Sequence, residues 1–224
     1  MLNTNHIVKS YDKALKNLEE SIISMSTLAK NQLSALYIYL SKNDKNILTE
    51  ILANDQPINL LDKTIINSSL NILSLRNPVA YDLRFVFASG HISKNIERIG
   101  DNILNIATSI NNIKNQSELI NNNILHIIHI LTEMLLNSQE SLFNKNLNLL
   151  ENTISQDAMI DSTHKDLIKL VLNQMKEHNE SIDDLHYYLL VARALERIGD
   201  HIVNICKQIY FIEKNELYFN EEDK

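Results

Sequence analysis

The chain is poor in the residues that make tight turns. Its 224 residues include only 3 glycines and 2 prolines, and tryptophan is absent. A β-sandwich or an α/β fold of this length needs many turns, and glycine and proline are residues that turns favour. Their scarcity argues against both folds and predicts a few long helices joined by short connections.

Cysteine and net positive charge are also lacking. Cys206 is the single cysteine, which excludes an intramolecular disulfide and a cysteine-rich zinc site. A lone cysteine in a helical pattern is most often a small core residue, so we expect Cys206 to be buried. The formal net charge is −7, whereas nucleic-acid-binding proteins are normally basic. The composition therefore gives no indication of a nucleic-acid partner.

Long apolar runs are missing as well. The N-terminus has no apolar segment typical of a secretory signal peptide. The most apolar stretch, residues 124–136, is interrupted by two histidines, a threonine and a glutamate. It falls short of the ~20 consecutive apolar residues that span a bilayer. We therefore predict a soluble, cytoplasmic protein with no direct membrane insertion.

What the chain has instead is helical periodicity. Apolar residues recur at the spacing of amphipathic helices, for example at Leu15, Leu18, Ile22 and Met25. The pattern predicts an all-α protein with six long antiparallel helices, over about residues 11–40, 44–75, 78–114, 119–143, 147–175 and 182–212. Short connections favour bundles, with three helices in each half. We place the halves at residues 1–115 and 116–224.

Two prolines bear on the helix boundaries. Asn77 is a favoured N-cap residue and Pro78 a favoured first helical residue, so the third helix is expected to start at Pro78. Pro57 falls inside the predicted second helix and should mark a kink there.

One segment of the third helix is repeated in the sixth. Residues 97–106 read ERIGDNILNI, and residues 196–205 read ERIGDHIVNI. Such identity at matching places in two helical triplets indicates an internal duplication.

The repeated segment contains a pair of acidic residues four positions apart. Glu97 and Asp101 therefore lie on one face of their helix, and Glu196 and Asp200 do the same in the second half. Like charges at this spacing destabilise a helix by ~0.2–0.5 kcal/mol, which favours a shared counter-charge. Hard cations prefer clustered carboxylate oxygens, so the pairs are candidate metal ligands.

The helix preceding each pair offers further oxygen ligands at the same level. Residues equidistant from a helix–helix turn lie opposite each other, which places Asp55 and Asn59 near the first pair. In the second half the same geometry places Asp157 and Asp161 near Glu196 and Asp200. The first site has one carboxylate fewer and should be the weaker. The alternative is that these acids are solvated or paired with nearby arginines and lysines.

Gly100 and Gly199 occupy equivalent positions inside the repeated helices. A glycine in a helix interior costs about 1 kcal/mol relative to alanine, so we expect another backbone to approach closely at both. Catalytic motifs are lacking: the chain has no glycine-rich phosphate loop and no Gly-x-Ser-x-Gly elbow. Gly100 and Gly199 also stand where a di-iron Glu-x-x-His motif would place histidine.

These residues resemble the PhoU family over nearly the whole chain. The resemblance rests on residues 76–84 (RNPVAYDLR) with 97–102 (ERIGDN), and on residues 190–201 (LVARALERIGDH). It implies two tandem three-helix bundles related by a pseudo-twofold axis. It also implies a non-enzymatic regulator of phosphate uptake and phosphate-starvation signalling. Such a protein links a phosphate ABC transporter ATPase to a phosphate-sensing histidine kinase.

The resemblance further implies bound metal ions (iron, zinc or magnesium) and a homodimer, with no organic cofactor. The metal motifs correspond to Glu97/Asp101, Glu196/Asp200, Asp157/Asp161 and Asp55/Asn59, where Asn59 departs from the acidic pattern. Cys206 and Lys207 stand where the family often has Ala-Glu, which removes one acidic residue beyond the motif.

Two other functions remain open at this level. The same carboxylates could serve a metal store or a metal-dependent enzyme, which predicts uptake of many ions or catalytic turnover. The protein could also be an accessory of a transporter unrelated to phosphate.

Overall fold

The computed structural model describes residues 4–53, 55–177 and 182–218, without the side chains of residues 4–8, 55, 176 and 177. Within these ranges the chain forms helices and no strand. The helices are α1 (Thr4–Lys42), α2 (Lys45–Ala53), α3 (Asp55–Arg76), α4 (Ala80–Asn112), α5 (Glu118–Asn144), α6 (Leu147–Ser155), α7 (Asp157–Glu177) and α8 (Ile182–Lys214). Since α3 follows α2 and α7 follows α6 after one residue, the segments make six long helices, and the all-α prediction is confirmed.

The helices pack as two three-helix bundles. The first bundle contains α1, the α2–α3 pair and α4, and the second contains α5, the α6–α7 pair and α8. The bundles meet mainly where α4 packs against α8, with a further contact between α1 and α5. The boundary predicted at 115/116 falls in the connection between α4 and α5; that the two halves are separate domains stays a prediction.

Two of the predicted breaks are left-handed turns. Asn43 (φ 52°) follows α1, and its N–H donates to the carbonyl of Tyr39 at 2.8 Å. Lys145 (φ 52°) caps α5 in the same way, donating to the carbonyl of Ser141. The left-handed conformation stops the helix and satisfies one of its last carbonyls. The third predicted break, at residues 178–180, lies outside the described residues.

The predicted start of the third helix was wrong. α4 begins at Ala80 with Val79 as N-cap, because Asn77 adopts a left-handed conformation (φ 46°) and forms part of the turn. Within the second predicted helix, residue 54 lies outside the described residues, and the kink expected at Pro57 stays a prediction. The fifth predicted helix is interrupted at Gln156, although its backbone stays helical (φ −66°, ψ −17°).

The core is built largely of isoleucine. Buried isoleucines lie inside both bundles and between them: Ile22, Ile58, Ile96, Ile103, Ile128, Ile160, Ile198 and Ile205. Cys206 is completely buried, as expected, and burial raises the pKa of its thiol to about 12. It is therefore a core residue held as the neutral thiol.

The helix α5 is more apolar than the sequence analysis allowed. By length and composition alone α5 is long and apolar enough to cross a membrane, whereas the sequence analysis expected no such segment. In the fold its apolar side is buried, with Ile124, Ile127 and Leu131 packed in the second bundle, while His129 and Glu133 are exposed. A core helix of a helical bundle has this composition.

Hydrogen bonds join the chain at both ends of the antiparallel contact between α4 and α8. At one end Tyr81 donates to Glu213 (3.0 Å) and the guanidinium of Arg84 donates to the carbonyl of Ile212 (2.9 Å). At the other end Asp184, in the first turn of α8, accepts the backbone N–H groups of Lys114 (2.9 Å) and Asn115 (3.1 Å). The connection between the bundles is thus hydrogen-bonded to α8.

Candidate functional site

Both carboxylates of the first acidic pair form ion pairs with basic residues of their own helix, α4. Lys94 Nζ lies 2.8 Å from Glu97 Oε2, and Arg98 Nε lies 3.6 Å from the same oxygen. Arg98 Nη1 also donates to Asp101 Oδ2 at 3.2 Å. Each contact joins residues no more than three positions apart on α4, so both carboxylates of the first repeat already have counter-charges.

The acids of the second repeat are arranged differently. Asp157 and Asp161 lie one turn apart at the start of α7, and Asp200 faces them from α8. All three line a cleft of about 950 Å³, which we call the inter-bundle cleft because α4 of the first bundle forms its other side. Within the described part of the chain, none of the three makes a hydrogen bond or an ion pair. We call these three the open carboxylates; Asp200 belongs to the repeated segment, and Asp157 and Asp161 belong to the helix before it.

Crowding of these acids changes their proton affinity. Burial, together with the charges of Asp161 and Asp200, raises the pKa of Asp157 to about 6, and Lys207 opposes this shift. Burial also raises the pKa of Asp200, an effect that neighbouring His201 counteracts. Like charges held close together favour the protonated form, and a bound cation would relieve the same repulsion.

The repeated glycines lie where the neighbouring helix crosses. A Cβ at Gly199 would come within 3.2 Å of Ile160 Cγ2 and 3.6 Å of Asp157 Oδ1. A Cβ at Gly100 would meet Ile58 at 3.4 Å and Gln32 Oε1 at 3.6 Å. The expectation of a close backbone was wrong, because the neighbours are side chains. Gly199 leaves room beside the Asp157 carboxylate.

The two glycines should respond differently to alanine. Gly100→Ala is expected to raise the free energy of unfolding by about 0.5–1 kcal/mol, because helix propensity improves and the new contacts are ordinary. Gly199→Ala should gain less or lose stability, because Ile160 must shift. Urea denaturation of both variants measures the difference. Equal gains would show that Ile160 moves freely and that space at Gly199 is not limiting.

Comparison with known proteins places this arrangement in a family. A sequence model of the PhoU domain matches residues 22–110 and again residues 124–209. Each match contains one copy of the repeated acidic motif. The chain belongs to the PhoU family.

Relatives match nearly the whole chain. The phosphate-specific transport system accessory protein PhoU homolog of Xylella fastidiosa (strain Temecula1) is 33% identical over 221 residues, covering 98% of this chain and 92% of that protein. The homolog of Clostridium acetobutylicum is 28% identical and covers 95% of this chain. The crystal structure of the phosphate transport system regulatory protein PhoU from Streptococcus pneumoniae superposes with a TM-score of 0.86 at 26% identity, covering 94% of this chain and all of its own.

The structure brings only some of the predicted PhoU motif residues together. Asp157, Asp161 and Asp200 come together, and Asp101 of the first repeat lines the same inter-bundle cleft. Glu196 is half-buried and raises the pKa of Asp157, although it does not line the cleft. Asn59 lines a separate shallow depression beside Pro57. The side chain of Asp55 lies outside the described residues.

The donor set of this PhoU chain suits a hard cation. Carboxylate oxygens without protein partners are ligands that magnesium accepts, usually together with water. Among the described residues, no three His, Cys, Asp or Glu side chains converge closely enough to hold one ion. The open carboxylates are nevertheless free of hydrogen bonds that would fix them, and Gly199 leaves space beside one of them. The prediction of metal binding therefore stays a prediction, with the second repeat as its better-supported site.

The sequence analysis considered nearby arginines and lysines only as ion-pair partners of the acids and did not predict that they line a cleft together with them. Arg98, Arg197 and Lys207 line it together with the acids. Their signal was present, because both arginines belong to the repeated ERIGD segment. His201, expected at the surface, is half-buried, with Nδ1 3.0 Å from Asn95 Oδ1 of α4. Burial lowers the pKa of His201, so this imidazole is a neutral contact between the bundles.

Proposed function

We propose that this protein is a non-enzymatic accessory protein of a phosphate-specific transport system. The observation that carries the proposal is similarity along nearly the full chain to proteins named for that role. We further propose a cytoplasmic adaptor that couples the ATPase of a phosphate ABC transporter to a phosphate-sensing histidine kinase. In this role it keeps starvation genes silent when phosphate is ample. A homodimer stays a prediction.

The proposal includes a metal ion at the second repeat. Asp157, Asp161 and Asp200 would have to draw closer together to hold it, with Glu196 close by. The oxygen-only donor set favours magnesium, and also iron, over zinc, which more often takes nitrogen and sulfur ligands. In the first repeat Glu97 and Asp101 are neutralised by Lys94 and Arg98, so a second ion there would have to displace those pairs.

A phosphate-starvation promoter reporter tests the regulatory role. We expect the reporter to be active in high phosphate when the gene is deleted, and silent when the intact gene is restored. The triple variant Asp157→Asn, Asp161→Asn, Asp200→Asn should fail to restore silencing if metal supports the regulation. Protein abundance is followed by immunoblot, so that loss of the chain is recognised.

A matched variant controls for the loss of charge. Glu151→Gln, Asp166→Asn and Asp183→Asn also remove three negative charges from the second bundle, but these side chains are exposed and lie outside the cleft. This control should silence the reporter normally. A reporter that stays silent in the deletion strain would remove the phosphate role and favour an accessory of another transporter. Catalytic turnover, or uptake of many metal ions per chain, would favour the enzyme or storage alternative.

A further inference from the structure

A groove of about 410 Å³ runs between α4 and α8, beside the inter-bundle cleft. We call it the arginine groove. Its main side chains are Tyr187, Leu190, Arg193 and Arg197 of α8, with Asn105 and Thr108 of α4. Among the described residues, no aspartate or glutamate lines it, although the whole chain has a net charge of −7. The groove is therefore a positively charged surface on an acidic protein.

The two arginines of the groove are unpaired. Arg193 and Arg197 are exposed, and in the described part of the chain neither forms a hydrogen bond or an ion pair. The equivalent residues of the first repeat, Lys94 and Arg98, form ion pairs with the acids three positions later on α4, at 2.8 and 3.2 Å. The second repeat has the same acids at the same spacing, yet the pairs are not formed. Both guanidinium groups are thus available to an external anion.

Acids near the groove limit what the arginines accept. Asp183 lies in the first turn of α8, towards one end of the groove, and Asp200 lies three residues beyond Arg197 at the other end. Asp101 of α4 lies beside that second end, and half-buried Glu196 stands between the two arginines in sequence but outside the groove. A long polyanion such as a nucleic acid would meet these acids, whereas an acidic segment of a few residues would not.

The spacing along α8 defines the segment that fits. A helix rises about 1.5 Å per residue, so Arg193 and Arg197 lie about 6 Å apart along the axis, and the distance from Tyr187 to Arg197 is about 15 Å. An extended chain rises about 3.3 Å per residue, so alternate side chains on one face are about 6.6 Å apart. Two acids separated by one residue therefore match the two arginines, and about five extended residues fill the groove.

The rest of the groove offers apolar contact and hydrogen bonds. Leu190 is 42% exposed and lies one turn from half-buried Tyr187 on α8. An apolar side chain covering both would add contact area, which is needed because exposed ion pairs alone bind weakly. Across the groove, Asn105 and Thr108 expose amide and hydroxyl groups without a partner in the part of the chain that the structure describes. These groups are able to hydrogen-bond the backbone of an extended segment.

We propose that the arginine groove docks an extended acidic segment of a partner protein, in which two acids separated by one residue bind Arg193 and Arg197 while a neighbouring apolar side chain covers Tyr187 and Leu190. Charge complementarity carries the inference, since a guanidinium binds a carboxylate through two parallel hydrogen bonds. The inference goes beyond the proposed function and does not rest on its metal site or on its regulatory role.

Fluorescence anisotropy of the full chain with labelled peptides tests the docking. The probes are Leu-Ser-Glu-Ser-Glu and its reverse, because both chain directions present the same side chains to the groove. Two control peptides carry either glutamine in place of glutamate or the adjacent acids of Leu-Ser-Glu-Glu-Ser, which point to opposite faces of an extended chain. We expect at least one probe to bind at least tenfold more tightly than either control, and its affinity to fall as salt is added.

Variants locate the binding surface. Arg193→Gln and Arg197→Gln should each weaken the tighter probe at least fivefold. Lys165→Gln is the matched control, because this exposed lysine of α7 lies outside the groove. The double variant Arg193→Glu, Arg197→Glu should bind Leu-Ser-Lys-Ser-Lys at least tenfold more tightly than the parent does, a gain that loss of structure cannot produce. Thermal unfolding of each variant verifies that the fold is retained.

Three results would overturn the inference. The first is a dissociation constant above about 1 mM for both probes, or equal weakening by Lys165→Gln and Arg197→Gln. The second is self-association of the parent chain that Arg197→Gln abolishes, which would show that a second copy covers the groove. The third is inorganic phosphate binding as tightly as the probes, since the apolar side chain would then contribute nothing. Each result leaves the promoter reporter to decide the proposed function.

Discussion

Asp184→Ala should lower the free energy of unfolding by about 2–4 kcal/mol, the largest effect we expect from one substitution. Asp184 is only 4% exposed and accepts three hydrogen bonds, from the N–H groups of Lys114 and Asn115 and from the Asn115 side chain. Alanine would leave two backbone donors without an acceptor at the connection between the bundles. Urea denaturation followed by circular dichroism measures the loss.

Asp183→Ala is the control for this substitution. Asp183 also lies in the first turn of α8 but is exposed, so it shares any effect of the helix dipole without the buried hydrogen bonds. Its loss should cost less than about 1 kcal/mol. Similar losses in the two variants would show that the dipole, rather than the contact with residues 114 and 115, makes Asp184 important.

The contribution of Asp184 should also depend on pH. Burial by itself would raise its pKa, but the hydrogen bonds from Lys114 and Asn115 lower the pKa below its usual value. The stabilisation is therefore complete above the unfolded-state pKa, about 3.9, and is lost as the pH falls through the lower folded-state value. Asp184→Asn should accordingly approach the stability of the parent below about pH 4. A constant difference from pH 3 to 7 would contradict ionisation as the cause.

Asp157→Asn should have the opposite effect and stabilise the metal-free protein at pH 7.5 by about 1–2 kcal/mol. Its pKa of about 6 lies above the usual value because of burial and the charges of Asp161 and Asp200. An acid with a raised folded-state pKa destabilises the fold as the pH rises from about 4 to 6, and the penalty is complete above that window. Asparagine removes the charge and therefore the penalty.

Denaturation in the presence of a chelator, at pH 7.5 and pH 4.5, measures this gain. It should be clear at the higher pH and small at the lower. Asp166→Asn, on an exposed face of the same helix, should change stability by less than about 0.5 kcal/mol at either pH. Saturating magnesium should stabilise the parent more than the Asp157→Asn variant. A gain that is independent of pH would mean that packing, rather than charge, limits the fold at Asp157.

The helical architecture was readable from local patterns. Periodic apolar residues such as Leu18, Ile22 and Met25 marked the buried side of α1, and the scarcity of glycine left few places for the chain to turn. Helix ends were harder, since Asn77 carries the composition of an N-cap but adopts a left-handed turn. Cap and turn residues overlap in type, and the packing of the neighbouring helices decides between them.

The acidic residues of the candidate site could be identified from the sequence, whereas the placement of its basic residues beside them could not. The spacing of Glu97/Asp101 and Glu196/Asp200 identified the faces of the helices, but the two pairs look alike in sequence. Only the tertiary structure shows that the first pair forms ion pairs on α4. It also shows that Asp200 lines a cleft together with Asp157 and Asp161. Ion pairing depends on rotamers and on neighbouring helices, which residue order does not specify.

By itself, the sequence determined that this chain folds as two related sets of three helices and that each carries one acidic pair in a helix interior. Periodicity and duplication are properties of residue order, and they act through local geometry. The tertiary structure decided which acids share a space, because that depends on how α7 packs against α8 within the second bundle and on how α4 crosses α8 between the bundles. The packing of α7 against α8 also brings Arg197 and Lys207 into one cleft with the carboxylates of α7, so that both signs of charge line it.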